Sequence, residues 1–180
     1  MDAHEKQALL ESLESGREAL LAELAGLTED QAARAPEPGR WSVRECVEHL
    51  VVAEDYLFAQ IISAQNNASK PSETPVGSRA REARILKRGA DRSSRVEAPE
   101  VARPTGRFTT LAEALNTFLN SHNQTIRYVQ ACDDDPRART AQHPLIGPVN
   151  CYEVLLIIAV HPQRHAQQIR EIRAALSPAR

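Results

Sequence analysis

The chain has 180 residues, a length that suits one domain with a substantial core. Its formal net charge is −2 at pH 7, so it lacks the basic surface that binds nucleic acids or anionic membranes. Its three cysteines, Cys46, Cys132 and Cys151, are odd in number and widely spaced, which argues against a disulfide framework and fits a reducing compartment. The longest apolar run, residues 154–160, is too short to span a bilayer, and the N-terminus has no signal-peptide core. We therefore expect a soluble, cytoplasmic protein.

The N-terminal third of the chain predicts two amphipathic helices. Residues 5–27 are rich in Ala, Leu and Glu, which are strong helix formers, and their leucines recur at helical spacing. A second helix is predicted to begin at Ser42, because Ser42 and Glu45 have the spacing of a capping box, in which each side chain accepts a hydrogen bond from the other residue's backbone N–H. It should extend to about Gln65, and its apolar inner face includes His49.

A long polar segment, residues 66–106, follows this helix. It contains four prolines and many arginines and shows no strand pattern. Residues 79–88 are typical of a short basic helix, and we interpret the rest as a long crossover. A connection of this length allows the third long helix to run either parallel or antiparallel to the second.

The third long helix is predicted to begin at Thr110, which repeats the capping-box spacing with Glu113. Apolar residues at helical steps continue from there to the acidic run at residues 133–136. His122 lies beside this stripe, and its polar neighbours predict a position at a wetter edge of the helix.

The fourth helix contains the two histidines around which the chain is organised. Asn150 with Glu153 predicts a weaker cap at its start, and Pro162 is expected to kink the helix between His161 and His165 unless the bundle tolerates it. The apolar stripe of this helix, with both histidines in its middle, comprises Val154, Ile158, His161, His165, Ile169, Ile172 and Leu176. Four long helices, no strands and one long crossover between helices 2 and 3 predict an all-α, antiparallel four-helix bundle, formed by a single domain over residues 1–180.

The spacing of these histidines suggests a metal site. His161 and His165 are four residues apart, so in a helix both imidazoles leave one face about one turn apart and can share one metal ion. For any single histidine, a hydrogen bond within the core is the commoner alternative. The combination with His49 is stronger, since helices 2 and 4 can be neighbours in a bundle. Three imidazoles that leave one coordination position open are typical of a catalytic metal site.

Two other metal motifs are absent from the sequence. A di-iron carboxylate bundle requires Glu-x-x-His pairs, and no histidine of this chain has a glutamate three residues before it. The H-E-x-x-H motif of zinc proteases is also absent, because Pro162 follows His161.

Three blocks of sequence, in this order, resemble the DinB-like superfamily: W-S-V-R-E-C-V-E-H-L (residues 41–50), H-P-L-I-G (residues 143–147) and H-P-Q-R-H-A-Q-Q-I (residues 161–169). That superfamily includes metal-dependent hydrolase-like proteins and thiol S-transferases related to bacillithiol transferase. The resemblance covers nearly the whole chain and implies a four-helix bundle with one long crossover and frequent homodimers. It also implies a divalent metal, Zn²⁺ or Ni²⁺, on three histidines, which by position are His49, His161 and His165.

Three further side chains are candidates for the surroundings of the metal. Gln168 is either a hydrogen-bond donor or lip residue beside the ligands or an ordinary solvated glutamine. Arg164 is expected to form an ion pair, for example with Glu45 or Glu48, rather than to bind a substrate anion. His143 precedes a proline, so a role in a turn is expected, with the mouth of the pocket as the alternative.

Cys46 lies one turn before His49 and would close the site as a fourth ligand, but a buried inert cysteine is the commoner case. The arginines of the crossover are expected to be solvated, with contact to an acidic thiol cofactor as the alternative.

Two classes of function are consistent with this sequence. The first is a metal-dependent enzyme acting on a small molecule, because a divalent ion on neutral imidazoles lowers the pKa of a water or thiol that it binds. Transfer of a low-molecular-weight thiol to an electrophile is expected ahead of hydrolysis of a small amide or ester. The second is a metal- or small-ligand-binding protein without catalysis, used in a stress response.

The leucine face of residues 9–27 is a plausible apolar surface for the homodimer that the resemblance implies.

Overall fold

The computed structural model describes residues 1–66, 77–93 and 96–176. Within them the chain forms, in order, α1 (Ala3–Leu24), α2 (Glu29–Ala33), α3 (Val43–Asn66), α4 (Arg79–Ala90), a 3₁₀ helix (Glu100–Ala102), α5 (Leu111–Ala131), a second 3₁₀ helix (Pro136–Ala138), β1 (Thr140–His143), β2 (Gly147–Asn150) and α6 (Cys151–Leu176). The four long helices α1, α3, α5 and α6 confirm the predicted four-helix bundle with one long crossover. Residues 67–76 and 94–95 of that crossover lie outside the described residues.

Capping side chains determine where α3 and α6 begin. The Ser42 N–H donates to the Glu45 carboxylate at 2.7 Å, and the Glu45 N–H donates to Ser42 Oγ at 3.2 Å. In the same way, the Asn150 N–H donates to the Glu153 carboxylate at 3.1 Å, and the Glu153 N–H donates to Asn150 Oδ1 at 2.8 Å. Each pair satisfies two backbone donors that the first helical turn leaves without partners, so both predicted helix starts are confirmed.

The start of α5 uses a carboxylate that the sequence did not indicate. Thr110 Oγ1 accepts from the Glu113 N–H at 3.1 Å as predicted, but the Glu113 carboxylate reaches one residue further back than in a capping box. Glu29 of the short helix α2 instead accepts from the N–H groups of Leu111 and Ala112, at 2.6 and 3.1 Å. A negative charge at a helix N-terminus is also favoured by the helix dipole.

The predicted fold had no strands, and His143 was expected to have a role in a turn. In the structure β1 and β2 form an antiparallel hairpin, with His143 opposite Gly147 and Ala141 opposite Val149. Ala141 and Val149 are buried, and Gly147 has φ +72°, a conformation that favours glycine at the turn. The hairpin adds a small sheet to the bundle and places His143 at the end of a strand.

The long crossover brings α5 back parallel to α3, one of the two directions left open by its length. Asp55 in the middle of α3 accepts from Ser121 in the middle of α5, and Gln65 near the end of α3 donates to Tyr128 near the end of α5. Contacts later in α3 are made with residues later in α5, so the two helices run parallel.

The other two helices form a second parallel pair. Glu23 in the last turn of α1 accepts from Arg170 in the C-terminal third of α6 at 2.8 Å. The first turns of α1 meet the last turns of α5, where Lys6 donates to the Gln130 carbonyl at 2.8 Å. The bundle thus consists of two parallel pairs that run in opposite directions.

The leucine face of α1 belongs to the core and does not form a free surface. Its members are at most 6% exposed: Leu9, Leu13, Leu20 and Leu24.

Apolar side chains form two core clusters, one including α6 residues from Cys151 to Ala159 and the other including Ile169 and Ile172. His161 and His165 therefore fall between the two clusters along α6, which is continuous through Pro162.

The predicted position of His122 at a wetter edge was wrong. Its side chain is fully buried, with Nδ1 at 3.0 Å from Glu54 Oε2 and Nε2 at 3.0 Å from the Leu13 carbonyl oxygen. Thr125 donates its hydroxyl to the same glutamate at 2.7 Å. Partners from α1 and α3 satisfy the ring, and for this reason a polar side chain is tolerated inside the bundle.

No helix among the described residues is both long enough and apolar enough to span a membrane.

Candidate metal centre

Helices α3 and α6 bring three imidazoles together. His49 comes from α3, and His161 and His165 come from successive turns of α6. His161 Nε2 lies 3.2 Å from His49 Nε2 and 3.0 Å from His165 Nε2. One nitrogen from each ring lies within 4.8 Å of the other two, as in a group that could hold a metal ion. The three positions named from the sequence therefore meet at one point of the structure.

The separations between these nitrogens fit a shared cation. Zinc–imidazole bonds of about 2.0–2.1 Å at tetrahedral angles place two ligand nitrogens about 3.3 Å apart. The observed 3.0 and 3.2 Å are close to this value. Neutral imidazoles could join two of these nitrogens by an N–H···N hydrogen bond, whereas a cation between the rings would satisfy all three nitrogens at once.

A backbone carbonyl orients the His49 ring. His49 Nδ1 lies 2.6 Å from the carbonyl oxygen of Ala102, which belongs to the 3₁₀ helix of the crossover. A carbonyl only accepts, so Nδ1 carries the proton and Nε2 presents its lone pair to the other two histidines. This partner was missed from the sequence, because every residue has a carbonyl and no residue type marks this one.

His165 presents Nε2 to the other histidines, while its Nδ1 atom is buried and makes no hydrogen bond with the described residues. The indole of Trp41 covers this side of the site, with its ring centroid 6.5 Å from that of His165 and 4.9 Å from that of His49. Trp41 therefore forms an apolar wall against two of the three rings.

The electrostatics keep all three histidines in the form that binds metals. Burial lowers the pKa of His49, against the opposing effect of its hydrogen bond to Ala102. Burial also lowers the pKa of His161 and His165 well below the usual value, and the adjacent imidazoles and Arg164 lower it further. The rings are therefore neutral at pH 7, as metal ligation requires.

A cavity of about 420 Å³ adjoins the histidines. Gln168, His143 and Arg164, the three candidates for the surroundings of the metal, all line it. Gln168 Oε1 accepts from Arg92 of the crossover at 3.1 Å, so this glutamine is neither simply solvated nor bonded to a histidine. His143 combines its two predicted roles, because it faces the cavity while its Nδ1 accepts from the Leu145 N–H at 3.2 Å.

The ion pair predicted for Arg164 was assigned to the wrong partners. Arg164 donates to the backbone carbonyl of Asp91 in the crossover. Glu45 is engaged in its capping box. Glu48 accepts from the backbone N–H groups of Thr105 and Arg107, at 2.6 and 3.1 Å. Both carboxylates are therefore committed to backbone donors.

Cys46 lies outside the histidine group. It is fully buried, and burial raises the pKa of its thiol far above the usual range. A thiol in this state is a core side chain rather than a metal ligand.

The crossover supplies much of the wall of the cavity, which the sequence did not predict. The lining residues from this segment include Arg92, Val96, Glu97, Ala98, Pro99, Ala102, Arg103 and Pro104. Arg92 was expected to be solvated, but it also donates to the Glu171 carboxylate of α6, at 3.0 and 2.7 Å.

Comparisons with known proteins agree with this architecture. YfiT from Bacillus subtilis, described as a probable metal-dependent hydrolase with an unusual four-helix bundle topology, superimposes with a TM-score of 0.60. The match has 17% sequence identity and covers 97% of this chain and 89% of YfiT. The YuaE protein of Bacillus subtilis (strain 168) is 22% identical over 157 residues, which are 87% of this chain and 92% of YuaE. The sequence profile of the DinB superfamily matches residues 12–169. The chain belongs to the DinB superfamily.

Proposed function

We propose that His49, His161 and His165 hold one divalent metal ion, Zn²⁺ or Ni²⁺, and that the protein is a metal-dependent enzyme acting on a small molecule. The observation that carries this proposal is the convergence of three neutral imidazoles, from two helices, at the wall of one cavity. Imidazole suits zinc and nickel alike, so the choice of metal is left to measurement.

The number of ligands favours catalysis over a structural role. Three protein ligands leave one coordination position open, whereas structural zinc sites are closed by four. When bound, such an ion lowers the pKa of a water or thiol and polarises an electrophile. The protein itself contributes the covered site: Trp41 shields one side of the histidines, and Ala102 fixes the orientation of the His49 ring.

Two reactions are within reach of this site. Transfer of a low-molecular-weight thiol to an electrophile is our first proposal, and hydrolysis of a small amide or ester is the second. The description of YfiT as a probable metal-dependent hydrolase supports hydrolysis. The three free cysteines are consistent with a reducing compartment such as the cytoplasm. A low-molecular-weight thiol would be available for S-transfer in such a compartment.

A metal- or ligand-binding protein without catalysis is the alternative. One observation favours it. Among the described residues that line the cavity, the single carboxylate is Glu97, whose side chain is 86% exposed, so this part of the chain offers no buried carboxylate to act as a general base.

An activity screen with matched variants tests the proposal. Zinc- and nickel-loaded protein would be given cysteine with 1-chloro-2,4-dinitrobenzene, and separately p-nitrophenyl acetate, and thiol consumption and nitrophenol release would be recorded. We expect one of the two reactions, abolished by a chelator and in His161→Ala but retained in His4→Ala, an exposed histidine of α1. Metal binding without either reaction, after the screen is widened to other thiols, amides and esters, would favour the non-catalytic alternative.

A further inference from the structure

Arginine is the predominant charged residue around the cavity. The described lining residues include Arg40, Arg92, Arg103 and Arg164 but one carboxylate, Glu97. The neutral histidines add no negative charge. A concave site lined by one sign of charge attracts ligands of the opposite sign, even though this chain as a whole has a net charge of −2.

Two of these arginines adjoin the histidines. Arg164 precedes His165 on α6, and Arg92 donates to Gln168 Oε1, one turn after His165, at 3.1 Å. Arg164 donates to the backbone carbonyl of Asp91, the residue that precedes Arg92, and both arginines line the cavity. An anion between them would therefore have two cationic donors within one part of the lining.

Glu97 pairs with Arg103 within the cavity lining, but the carboxylates near Arg92 and Arg164 lie outside it. Glu171, which pairs with Arg92, has a side chain that is 55% exposed. Asp91 is exposed as well, and its carboxylate accepts from Ser93. The lining next to the histidines therefore holds two guanidinium groups without either of these carboxylates, and the acceptor there is the amide oxygen of Gln168.

Several exposed residues of the cavity lining are apolar. Val96 and Leu145 line the cavity and are 58% and 51% exposed. Pro99, Pro104 and Pro144 also line it, as do exposed charged side chains. A ligand that fills the cavity thus meets both positive charge next to the histidines and apolar surface.

From this arrangement we infer that the cavity binds a small organic acid, with its carboxylate on Arg92 and Arg164 and its apolar body against Val96 and Leu145. The guanidinium fork matches a carboxylate, and hydrogen bonds between charged partners are the stronger kind. The inference rests on the proposed function, since it names the substrate class of the same site.

Trp41 provides the measurement. It is the sole tryptophan of the chain, lines the cavity and contacts His49, so its fluorescence reports occupancy of the site. The probes are 3-phenylpropanoate and the neutral 3-phenylpropanamide, titrated into zinc-free and zinc-loaded protein. We expect the acid to bind at least about tenfold more tightly than the amide in both forms.

Variants identify the groups that recognise the charge. Arg92→Gln and Arg164→Gln are expected to reduce the preference for the acid to within about twofold, because each removes a cationic donor. Arg164→Lys should retain part of the preference. Arg170→Gln, on the same helix but paired with Glu23 outside the cavity, should leave it unchanged.

The outcomes separate this inference from the metal proposal. A preference in zinc-free protein that is lost in the arginine variants supports the inference even if the protein binds no metal. Equal binding of acid and amide, a preference that survives both glutamine variants, or a preference confined to zinc-loaded protein would overturn it. If Arg164→Gln does not fold, Arg92→Gln and Arg164→Lys decide the matter, and a true preference must weaken as salt is added.

Discussion

His122 and Glu54 form a buried ion pair in the centre of the bundle. Both nitrogens of His122 face acceptors, the Glu54 carboxylate and the Leu13 carbonyl, so the ring is fully satisfied only when both nitrogens carry protons. Burial by itself would lower the pKa of His122. The hydrogen bond and charge of Glu54, with the Leu13 carbonyl, outweigh it and raise that pKa above its usual value, although the positive charge of Arg17 opposes them.

This raised pKa predicts a pH-dependent contribution to stability. A histidine whose pKa is higher in the folded state stabilises the protein fully below the unfolded pKa of about 6.5, and this contribution is lost as the pH rises through the folded pKa. We expect His122→Gln to lower the free energy of unfolding by about 1–3 kcal/mol near pH 6 and by less near pH 9. Urea unfolding at both pH values measures the difference, with His4→Gln as the exposed control. A loss that stays constant or grows toward pH 9 would contradict the ion pair.

The sequence predicted some of these residues and not others for a physical reason. His49, His161 and His165 were found because each interrupts an apolar stripe, which is a local pattern. His122 was misplaced because its neighbours in sequence are polar, whereas its partners come from other helices. The Ala102 carbonyl and the position of Arg92 depend on how the crossover folds over the bundle, and neither leaves a local signal.

At the scale of elements, α4 contacts α6 through a glycine. A Cβ atom built on Gly89 would overlap Val160 Cγ2 and lie 3.2 Å from Val160 Cβ, directly before His161. Alanine normally favours a helix over glycine by about 1 kcal/mol, but forcing a methyl group into a packed contact costs about 1–3 kcal/mol. Gly89→Ala is therefore expected to destabilise the protein despite its better helix propensity.

A double-mutant cycle with Val160→Ala tests this contact. Val160→Ala removes the side chain that the new methyl group would meet, so the double variant should be more stable than the sum of the two single effects by about 1 kcal/mol. Strict additivity in urea unfolding would show that α4 and α6 do not pack closely at this point.

The helices were predictable and the hairpin was not. Ser42 with Glu45, and Asn150 with Glu153, are local signals that fix helix starts wherever the helices pack. β1 and β2 have four residues each, and Pro148 stands inside β2, so they offer too little alternation to distinguish strands from a loop. The short helix α2 was missed because it is a single turn whose Glu29 acts on a distant helix.

At the scale of the whole molecule, the sequence left open whether the third long helix runs parallel or antiparallel to the second, because a long crossover permits either direction. The structure shows two parallel pairs in opposite directions, which place His49 of α3 beside His161 and His165 of α6. This adjacency of two antiparallel helices is the feature of the fold on which the candidate metal centre depends.

The homodimer stays a prediction. The leucine face of α1 is buried, so an interface would use other apolar surface, such as Leu145 and Ile146 of the hairpin, which are 51% and 46% exposed. Size-exclusion chromatography with light scattering at micromolar concentration should give twice the chain mass of 19.9 kDa. The mass of a single chain would show that the protein is monomeric.

The most direct test of the central claim is the metal content of purified protein and its histidine variants. After loading with zinc and dialysis, the natural chain is expected to retain about one ion, because three imidazoles converge on one point. His49→Ala, His161→Ala and His165→Ala should each lose at least about tenfold in zinc affinity. His143→Ala, in the same cavity, and His4→Ala, on the surface, should retain the ion. Full zinc stoichiometry and unchanged affinity in His49→Ala would contradict the three-histidine site.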